Sequence, residues 1–199
     1  PKGKLHVLDG AAGTYTPSSE SDTLVVESAT PGGISLIGTG AGGNSKQSIV
    51  FGTPSDANKA SIIYDGNNSF LSIGTSTTSN YVRFTSGNSV EAMRIAASGN
   101  VGIGTTAFNN YWSGYTVLKL GADNGFFSNT ASGAGSALFI AQNVYNDGSI
   151  YRHIIENQSG LVDMRDGKFS FLTSPSGAAG AAATMTNRFT ILQAGNVGI

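Results

Sequence analysis

One eleven-residue pattern occurs twice in this chain, as residues 93–103 (MRIAASGNVGI) and residues 189–199 (FTILQAGNVGI), with Gly99 and Gly195 standing 96 residues apart. In each copy isoleucine alternates with other residues, a Gly-Asn pair follows, and Val-Gly-Ile alternates again. Period-two alternation on both sides of a Gly-Asn pair predicts a strand, a tight turn and a second strand. A unit of this length used twice predicts two domain-sized modules in tandem.

The rest of the chain is predicted to be all-β. Short alternating runs recur about every ten residues between turn residues, a spacing typical of sandwich- or prism-like modules. We assign residues 1–22 to a lead-in, 23–106 to a first module, 107–115 to an aromatic linker and 116–199 to a second module. Because the second copy stops where the first continues, and the first residue is not Met, we expect a fragment of a longer protein.

The predicted strands follow the apolar runs, and glycine-containing turns separate them. Asp65-Gly66, Asp147-Gly148 and Asp166-Gly167 predict hairpins, the first a type I′ turn. The Ala- and Gly-rich run 176–184 is compatible with a helix or a loop. The first-module strands are 23–28, 33–37, 48–51, 60–64, 70–73 and 81–84, and those of the second are 116–120, 137–140, 149–155, 161–165, 168–172 and 188–192. In the 168–172 strand, Phe169 and Phe171 share one face, which we expect to be buried.

Composition limits the chemistry that a site can perform. Charged residues make up 12% of 199 residues and the net charge is −1, so there is no electrostatic footprint for nucleic acid or an anionic membrane. The chain has no cysteine, which excludes disulfides and thiolate metal sites. No apolar run approaches the length of a membrane span. The 39% hydrophobic content argues for packed β structure rather than disorder.

Several motifs suggest chemistry but have simpler explanations. Residues 38–43 match G-x-G-x-x-G, yet a strand rather than a helix follows, which argues against a nucleotide site. Asn146-Asp147 offers oxygens to a structural Ca²⁺, but too few carboxylates lie nearby, so no metal or other cofactor is predicted. His6 and His153 lie far apart in sequence. Asp163 and Asp166, three residues apart across a predicted turn, could form a glycosidase pair, and their place in a hairpin explains them better.

An aromatic cluster is the best candidate for recognition. Sugar rings stack on aromatic faces, so Tyr111, Trp112 and Tyr115 are candidate carbohydrate-binding residues, with amides and hydroxyls at Asn109, Asn110 and Ser113 for hydrogen bonds. The alternative is that the rings pack the joint between modules or an interface between chains, and the size of the rings favours this alternative.

Three stretches resemble bacteriophage tail-fibre and tailspike proteins: residues 141–148 (AQNVYNDG), 169–180 (FSFLTSPSGAAG) and 188–199 (RFTILQAGNVGI). Residues 24–37 are also similar to shaft segments of such fibres. Segments of this kind often precede a self-cleaving chaperone, whose catalytic Ser and Lys this sequence lacks. The resemblance implies a parallel, intertwined homotrimer in the tail fibre of a virion, with other tail or baseplate proteins and host surface polysaccharide as partners.

Physical arguments make a trimer reasonable. Short glycine-rich strands leave unpaired edges, and closing them around a threefold axis satisfies their backbone groups. We expect Val101, Ile103, Val197 and Ile199 to pack at that axis. The predicted function is a non-enzymatic shaft that also contacts host glycans. The alternatives are a depolymerase of capsule or O-antigen polysaccharide and a bacterial surface adhesin.

Overall fold

The computed structural model describes residues 5–10, 16, 23–31, 33–37, 45–108, 114–129 and 135–199. Within these ranges the chain is all-β and contains no helix, as the alternating pattern predicted. The described part therefore has no helix able to cross a bilayer. The run 176–184, for which helix and loop remained open, is the end of a strand followed by a loop.

The described strands are numbered in chain order. They are β1 Leu5–Asp9, β2 Leu24–Ser28, β3 Lys46–Thr53, β4 Asp56–Asp65, β5 Phe70–Thr75, β6 Val82–Ser86, β7 Val90–Ile95, β8 Val101–Ile103, β9 Tyr115–Leu120, β10 Asn124–Asn129, β11 Ala137–Gln142, β12 Val144–Asn146, β13 Tyr151–His153, β14 Asn157–Arg165, β15 Lys168–Gly177, β16 Thr186–Ile191 and β17 Val197–Gly198.

The strands form four sheets. The largest has ten strands in the order β17-β16-β15-β14-β11-β10-β9-β8-β7-β6, and β12-β13 is a separate pair. Within the ten-stranded sheet β8 and β9 run parallel, and the other pairs are antiparallel. The remaining sheets are a parallel pair, β1-β2, and a three-stranded sheet of order β3-β4-β5.

The chain divides into two compact units, residues 1–50 with 61–73 and residues 51–60 with 74–199. The second unit holds the ten-stranded sheet and the β12-β13 pair. Because β8 pairs with β9, strands from both sides of residues 107–115 belong to one sheet. The division into modules at these residues stays a prediction.

The two copies of the repeated pattern adopt the same structure. In each, a glycine with positive φ, Gly99 at 85° and Gly195 at 82°, turns the chain between antiparallel strands. The amide of Ala96 donates to Asn100 O and that of Leu192 donates to Asn196 O, both at 2.8 Å. The predicted strand, turn and strand are thus confirmed in both copies.

Four local predictions were wrong. Residues 33–37 form no strand, and their side chains are exposed, because β2 pairs instead with β1. The Asp65-Gly66 turn is not type I′: neither residue has positive φ, and the reversal extends over four residues to Ser69, whose φ is 57°. Residues 149–155 are strand only at β13. The fourth concerns β15, where Ser170 is buried while Phe169 and Phe171 are exposed, since β12, β13 and the 178–185 loop cover the other face.

Candidate functional site

One face of the ten-stranded sheet carries an apolar row that crosses it from strand to strand. Directly paired residues in neighbouring strands point to the same side of a sheet. The register therefore aligns one apolar residue from each strand between β6 and β16: Val82, Ile95, Val101, Leu118, Phe126, Ile140, Val162, Phe171 and Phe189. We call this the outer face.

A second apolar row lies beside the first on the same face. It consists of Leu138, Met164, Phe169, Ile191 and Val197. These side chains stay accessible: Phe126 is 37% exposed, Ile140 42% and Phe169 45%. The Phe171 and Phe189 rings lie 5.6 Å apart. A contiguous apolar face of this kind marks an interaction surface in most soluble proteins.

The opposite face, which we call the core face, is covered. Val117, Phe127 and Phe139 are each at most 1% exposed. Val144 of β12 and Ala183 of the 178–185 loop pack on them. Phe127 and Phe139 stack with their centroids 4.6 Å apart. This cluster is the hydrophobic core of the second unit.

The structure places Tyr115 at the edge of this core. Its ring meets Phe127 edge-on at 5.2 Å and Phe139 at 6.0 Å, and burial raises the pKa of its hydroxyl. Tyr115 thus packs against the core of the second unit, and its predicted role in carbohydrate binding stays a prediction. Tyr111 and Trp112, with Asn109, Asn110 and Ser113, lie outside the described residues, so their role in carbohydrate binding stays a prediction.

Asp163 and Arg165 lie on the core face, beside the aromatic rings. Their side chains approach to 3.3 Å, and the Arg165 guanidinium lies 5.4 Å above the Phe139 ring. Burial raises the pKa of Asp163 despite Arg165, and burial raises the pKa of Tyr151 to about 12. Asp166 has a separate role in the hairpin turn. Its φ there is 51°, and its Oδ1 accepts a hydrogen bond from the amide of Gly135 at 3.0 Å.

His153 belongs to a buried polar network. It is 2% exposed, and its Nδ1 lies 2.8 Å from Ser159 Oγ. Ser159 donates to the backbone oxygen of Asn143 at 2.7 Å, so its hydroxyl accepts the proton of His153 Nδ1. Gly177 leaves room for the imidazole, because a Cβ there would lie 2.7 Å from the ring. These contacts, with buried Ser159 and beside Gly177, are those of a histidine packed inside the protein.

A polar groove of about 730 Å³ lies beside Gly160, between residues of β14, β15, β16 and the 178–185 loop. Amides and hydroxyls dominate its lining, and among the described lining residues Arg188 is the one charged side chain and none is a carboxylate. Arg188 Nε donates to Thr173 Oγ1 at 2.9 Å, which fixes the guanidinium at the rim. The lining residues are Gln142, Asn157, Gln158, Ser159, Gly160, Thr173, Ser174, Pro175, Thr184, Thr186 and Arg188.

The groove continues into a more apolar depression. Ile140, Val162 and Phe171 line this part, and Gln142, Gly160 and Thr173 are common to both. An added Cβ at Gly160 would meet only Gln142 Oε1, at 3.7 Å, so the floor is open. A polar wall facing an apolar wall can hydrogen-bond hydroxyls and pack against C–H faces.

The turn carboxylates already accept hydrogen bonds from donors on the protein. Asp147 Oδ1 accepts the amides of Ser149 and Ile150, and its Oδ2 pairs with Arg152. The backbone bond from Ile150, then Arg152, lowers the pKa of Asp147 to about 2. Asn146 Oδ1 accepts the Gly148 amide at 2.8 Å. These oxygens therefore act in the turn, the simpler role considered for them.

Asp65 is similarly occupied. Its carboxylate is buried and accepts the backbone amides of Asn67 and Asn68, with Lys46 Nζ at 3.4 Å. Burial acts to raise the pKa of Asp65, but these hydrogen bonds outweigh it and the pKa lies below its usual value. No group of three metal-ligating side chains occurs among the described residues. His6 lies in β1, and the 38–43 loop lies outside the described residues.

Three of the four residues predicted to pack at a trimer axis, Val101, Ile103 and Val197, lie on the outer face. Val101 and Val197 belong to its two apolar rows, and Ile103 pairs with Leu120 beside them. Ile103 is 46% exposed and Val197 60%. Ile199 ends the described chain and is fully exposed. Their packing between chains stays a prediction.

The extent of the outer face was not predicted from the sequence. Its signal was present as unbroken apolar runs at Val117-Leu118, Phe126-Phe127 and 137–141, since such runs are typical of strands buried on both sides. The polar groove left no signal, because its lining comes from separate strands and a loop.

Comparison with known proteins assigns no family. No protein-family model matches the chain, and no curated protein sequence matches it either.

Proposed function

We propose that this chain is a non-enzymatic structural module of a phage-like tail fibre, in which three parallel copies pack their outer faces together into a rigid shaft. The observation that carries the proposal is the pair of apolar rows on the outer face. Burying them against copies of the same face removes a large apolar area from water, at about 25 cal/mol per Å². A closed threefold arrangement uses the same surface of every copy.

Several features support a shaft over a soluble monomer. Phe126, Phe169 and Phe171 stand on one exposed face, where a solitary domain would expose them to aggregation. The outer face carries its apolar rows along most of the sheet, as a continuous inter-chain core requires. The count of three and the assembly with other tail or baseplate proteins in a virion rest on the resemblance to tail fibres.

The molecular mass in solution tests the proposal. Light scattering on the purified chain should give three times the chain mass of 20.3 kDa. Phe126→Asp and Phe171→Asp should each yield smaller species, because an unpaired charge in a buried apolar interface costs several kcal/mol, of order 3–5. The matched control is Ser98→Asp, in the exposed turn between β7 and β8.

Two results would overturn the assembly. One is a wild-type chain that stays monomeric at a protein concentration on the order of tens of micromolar. The other is an oligomer whose mass Phe126→Asp and Phe171→Asp leave unchanged. The sequence-based variant Ile103→Asp belongs in the same series, since it places a charge at the predicted axis.

Binding of host-surface glycans is a second candidate function, which the polar groove favours. The amides and hydroxyls of the groove, with Arg188 at the rim, suit a hydroxyl-rich saccharide, neutral or acidic, whereas Ile140, Val162 and Phe171 would be buried between copies in the assembly. Three such sites in one assembly would raise the apparent affinity by avidity. Trp112 remains the rival site from the sequence.

A glycan array separates these two sites. Binding lost in Arg188→Ala and kept in Arg83→Ala, an exposed arginine on β6, would place recognition in the groove. Binding lost in Trp112→Ala with an unchanged mass and melting temperature would place it in the aromatic linker. An assembly that binds no glycan is a shaft alone. Release of reducing ends from capsule or O-antigen polysaccharide would replace the proposal by a depolymerase.

A further inference from the structure

The two copies of the repeated pattern differ in one respect, which is what lies beyond their second strand. In the first copy β8 lies between β7 and β9. In the second copy β17 is the last strand of the sheet, and no described strand pairs with its other edge. Val197 is 60% exposed at this edge.

The register of the two copies is otherwise the same. Ile95 pairs with Val101 as Ile191 pairs with Val197, and Arg94 pairs with Gly102 as Thr190 pairs with Gly198. The free edge of β17 therefore presents the backbone groups that β8 uses toward β9. An exposed edge of this kind is a template for pairing with another strand.

The first copy shows how that edge is filled. Strand β9 joins β8 in parallel, with Val101 opposite Leu118 and Ile103 opposite Leu120. Two further bonds fix the register: Val117 N donates to Asn100 Oδ1 at 3.0 Å, and Gly121 N donates to Ile103 O at 2.9 Å. Asn196 and Ile199 are the counterparts of Asn100 and Ile103.

In the first copy, close packing requires the glycine at the centre of the second strand. A Cβ at Gly102 would lie 2.6 Å from Thr105 O and 2.8 Å from the Phe108 ring, so the segment after β8 folds closely over it. Its counterpart Gly198 has nothing within 4 Å. The second copy thus has open space at the position where the first copy packs Thr105 and Phe108.

We propose that the free edge of β17 is a docking site for one further polypeptide strand, which joins it in parallel and in the register of β9 on β8. The partner is an extended segment with the sequence pattern of residues 104–120. It has a backbone N–H for the Asn196 side chain and an apolar residue opposite Val197. Its docking extends the outer apolar rows by one strand.

The test appends a second copy of residues 104–120 after Ile199 in the full chain. Amide exchange at Val197 and Ile199 should slow by about tenfold or more relative to a fusion with the same residues in scrambled order. These two amides are diagnostic. In the first copy Ile103 O accepts a hydrogen bond from Gly121 N, so the backbone groups of Val101 and Ile103 face β9. By the shared register, those of Val197 and Ile199 face the free edge.

Gly198→Ala provides a matched control. It should leave the unfused chain unchanged, since the position is open, and should abolish the protection in the fusion, because the new Cβ takes the space of the counterparts of Thr105 and Phe108. A fusion with no more protection than the scrambled one overturns the proposal. So does protection that Gly198→Ala leaves intact.

A synthetic peptide of residues 104–120 serves as a second probe if the fusion does not fold. Added to the isotopically labelled chain, it should shift the amide resonances of Val197, Gly198 and Ile199, and an Asn196→Ala chain should bind it more weakly. An equal response to the scrambled peptide, or no response at these residues, overturns the proposal.

Discussion

Phe126 and Phe127 are neighbours in β10, yet one lies on the outer face at 37% exposure and the other in the core at 1%. The same contrast holds in β9 for Leu118 and Val117, and in β11 for Ile140 and Phe139. All three strands are apolar on both sides. A strand of this kind is expected between two packed layers, and the described residues of this unit supply only one of them. The difference between the faces is the main physical reason to expect an assembly.

The largest expected effect comes from truncating each phenylalanine of β10 in turn. Phe127→Ala should cost about 3–5 kcal/mol of unfolding free energy, since it opens a cavity beside Phe139 in the core. Phe126→Ala should cost less in dilute solution, and its cost should grow with protein concentration as the outer faces become buried. Urea unfolding at several concentrations measures both.

The concentration dependence decides what covers the outer face. A cost for Phe126→Ala that stays constant over the concentration range would contradict burial of the outer face between copies. The cost of Phe127→Ala has no such dependence in either case, because its cavity lies within one chain.

Glycines on the two faces should also differ in their response to an added methyl group. Gly177→Ala places a Cβ 2.7 Å from the His153 ring and should cost about 1–3 kcal/mol through overpacking. Gly160→Ala, at the open floor of the groove, should change stability by about 0.5 kcal/mol or less. Thermal unfolding of the two variants measures the difference, and equal effects would contradict the close packing of His153.

Removing the buried hydroxyl of Ser159 tests the polar network behind the core face. Ser159→Ala leaves His153 Nδ1 and the Asn143 carbonyl without this partner, which should cost about 1–3 kcal/mol. Ser98→Ala, in an exposed turn, is the control and should be nearly neutral. If chemical denaturation gives the same stability for both variants, the network does not hold the β12-β13 pair in place.

The smallest effect is expected at the Asp147 turn. Because the folded-state pKa of Asp147 is lowered to about 2, its stabilisation is fully present above the unfolded-state pKa near 3.8 and is lost as pH falls toward 2. Asp147→Asn should therefore lower the melting temperature at pH 7, and the gap to the wild-type chain should narrow between pH 4 and pH 2. Arg152→Gln should have a smaller effect, since the backbone bond from Ile150 is the larger cause.

A gap for Asp147→Asn that keeps its size down to pH 2 would contradict this assignment. The melting temperatures are best measured at fixed ionic strength and protein concentration, so that screening and assembly do not change with pH.

Local patterns predicted most of the strands because alternation and turn residues act over a few positions. The Asp166-Gly167 hairpin follows from two residues that adopt positive φ, 51° and 73°. Strand β10 was missed because Asn124-Gly125 has the composition of a turn, and β1 and β12 were missed as well. In β10 the pairing with β9 and β11 overrides that local tendency.

The amino-acid sequence by itself determined the all-β class, the repeated strand-turn-strand unit and the division of apolar residues between two faces. Only the tertiary structure decided which face is covered, so that Ser170 is buried while Phe171 is exposed. It also decided that β9 fills the edge of β8, whereas no described strand pairs with the outer edge of β17. The physical reason is that alternation is a property of one strand, whereas coverage and pairing depend on segments far away in the chain.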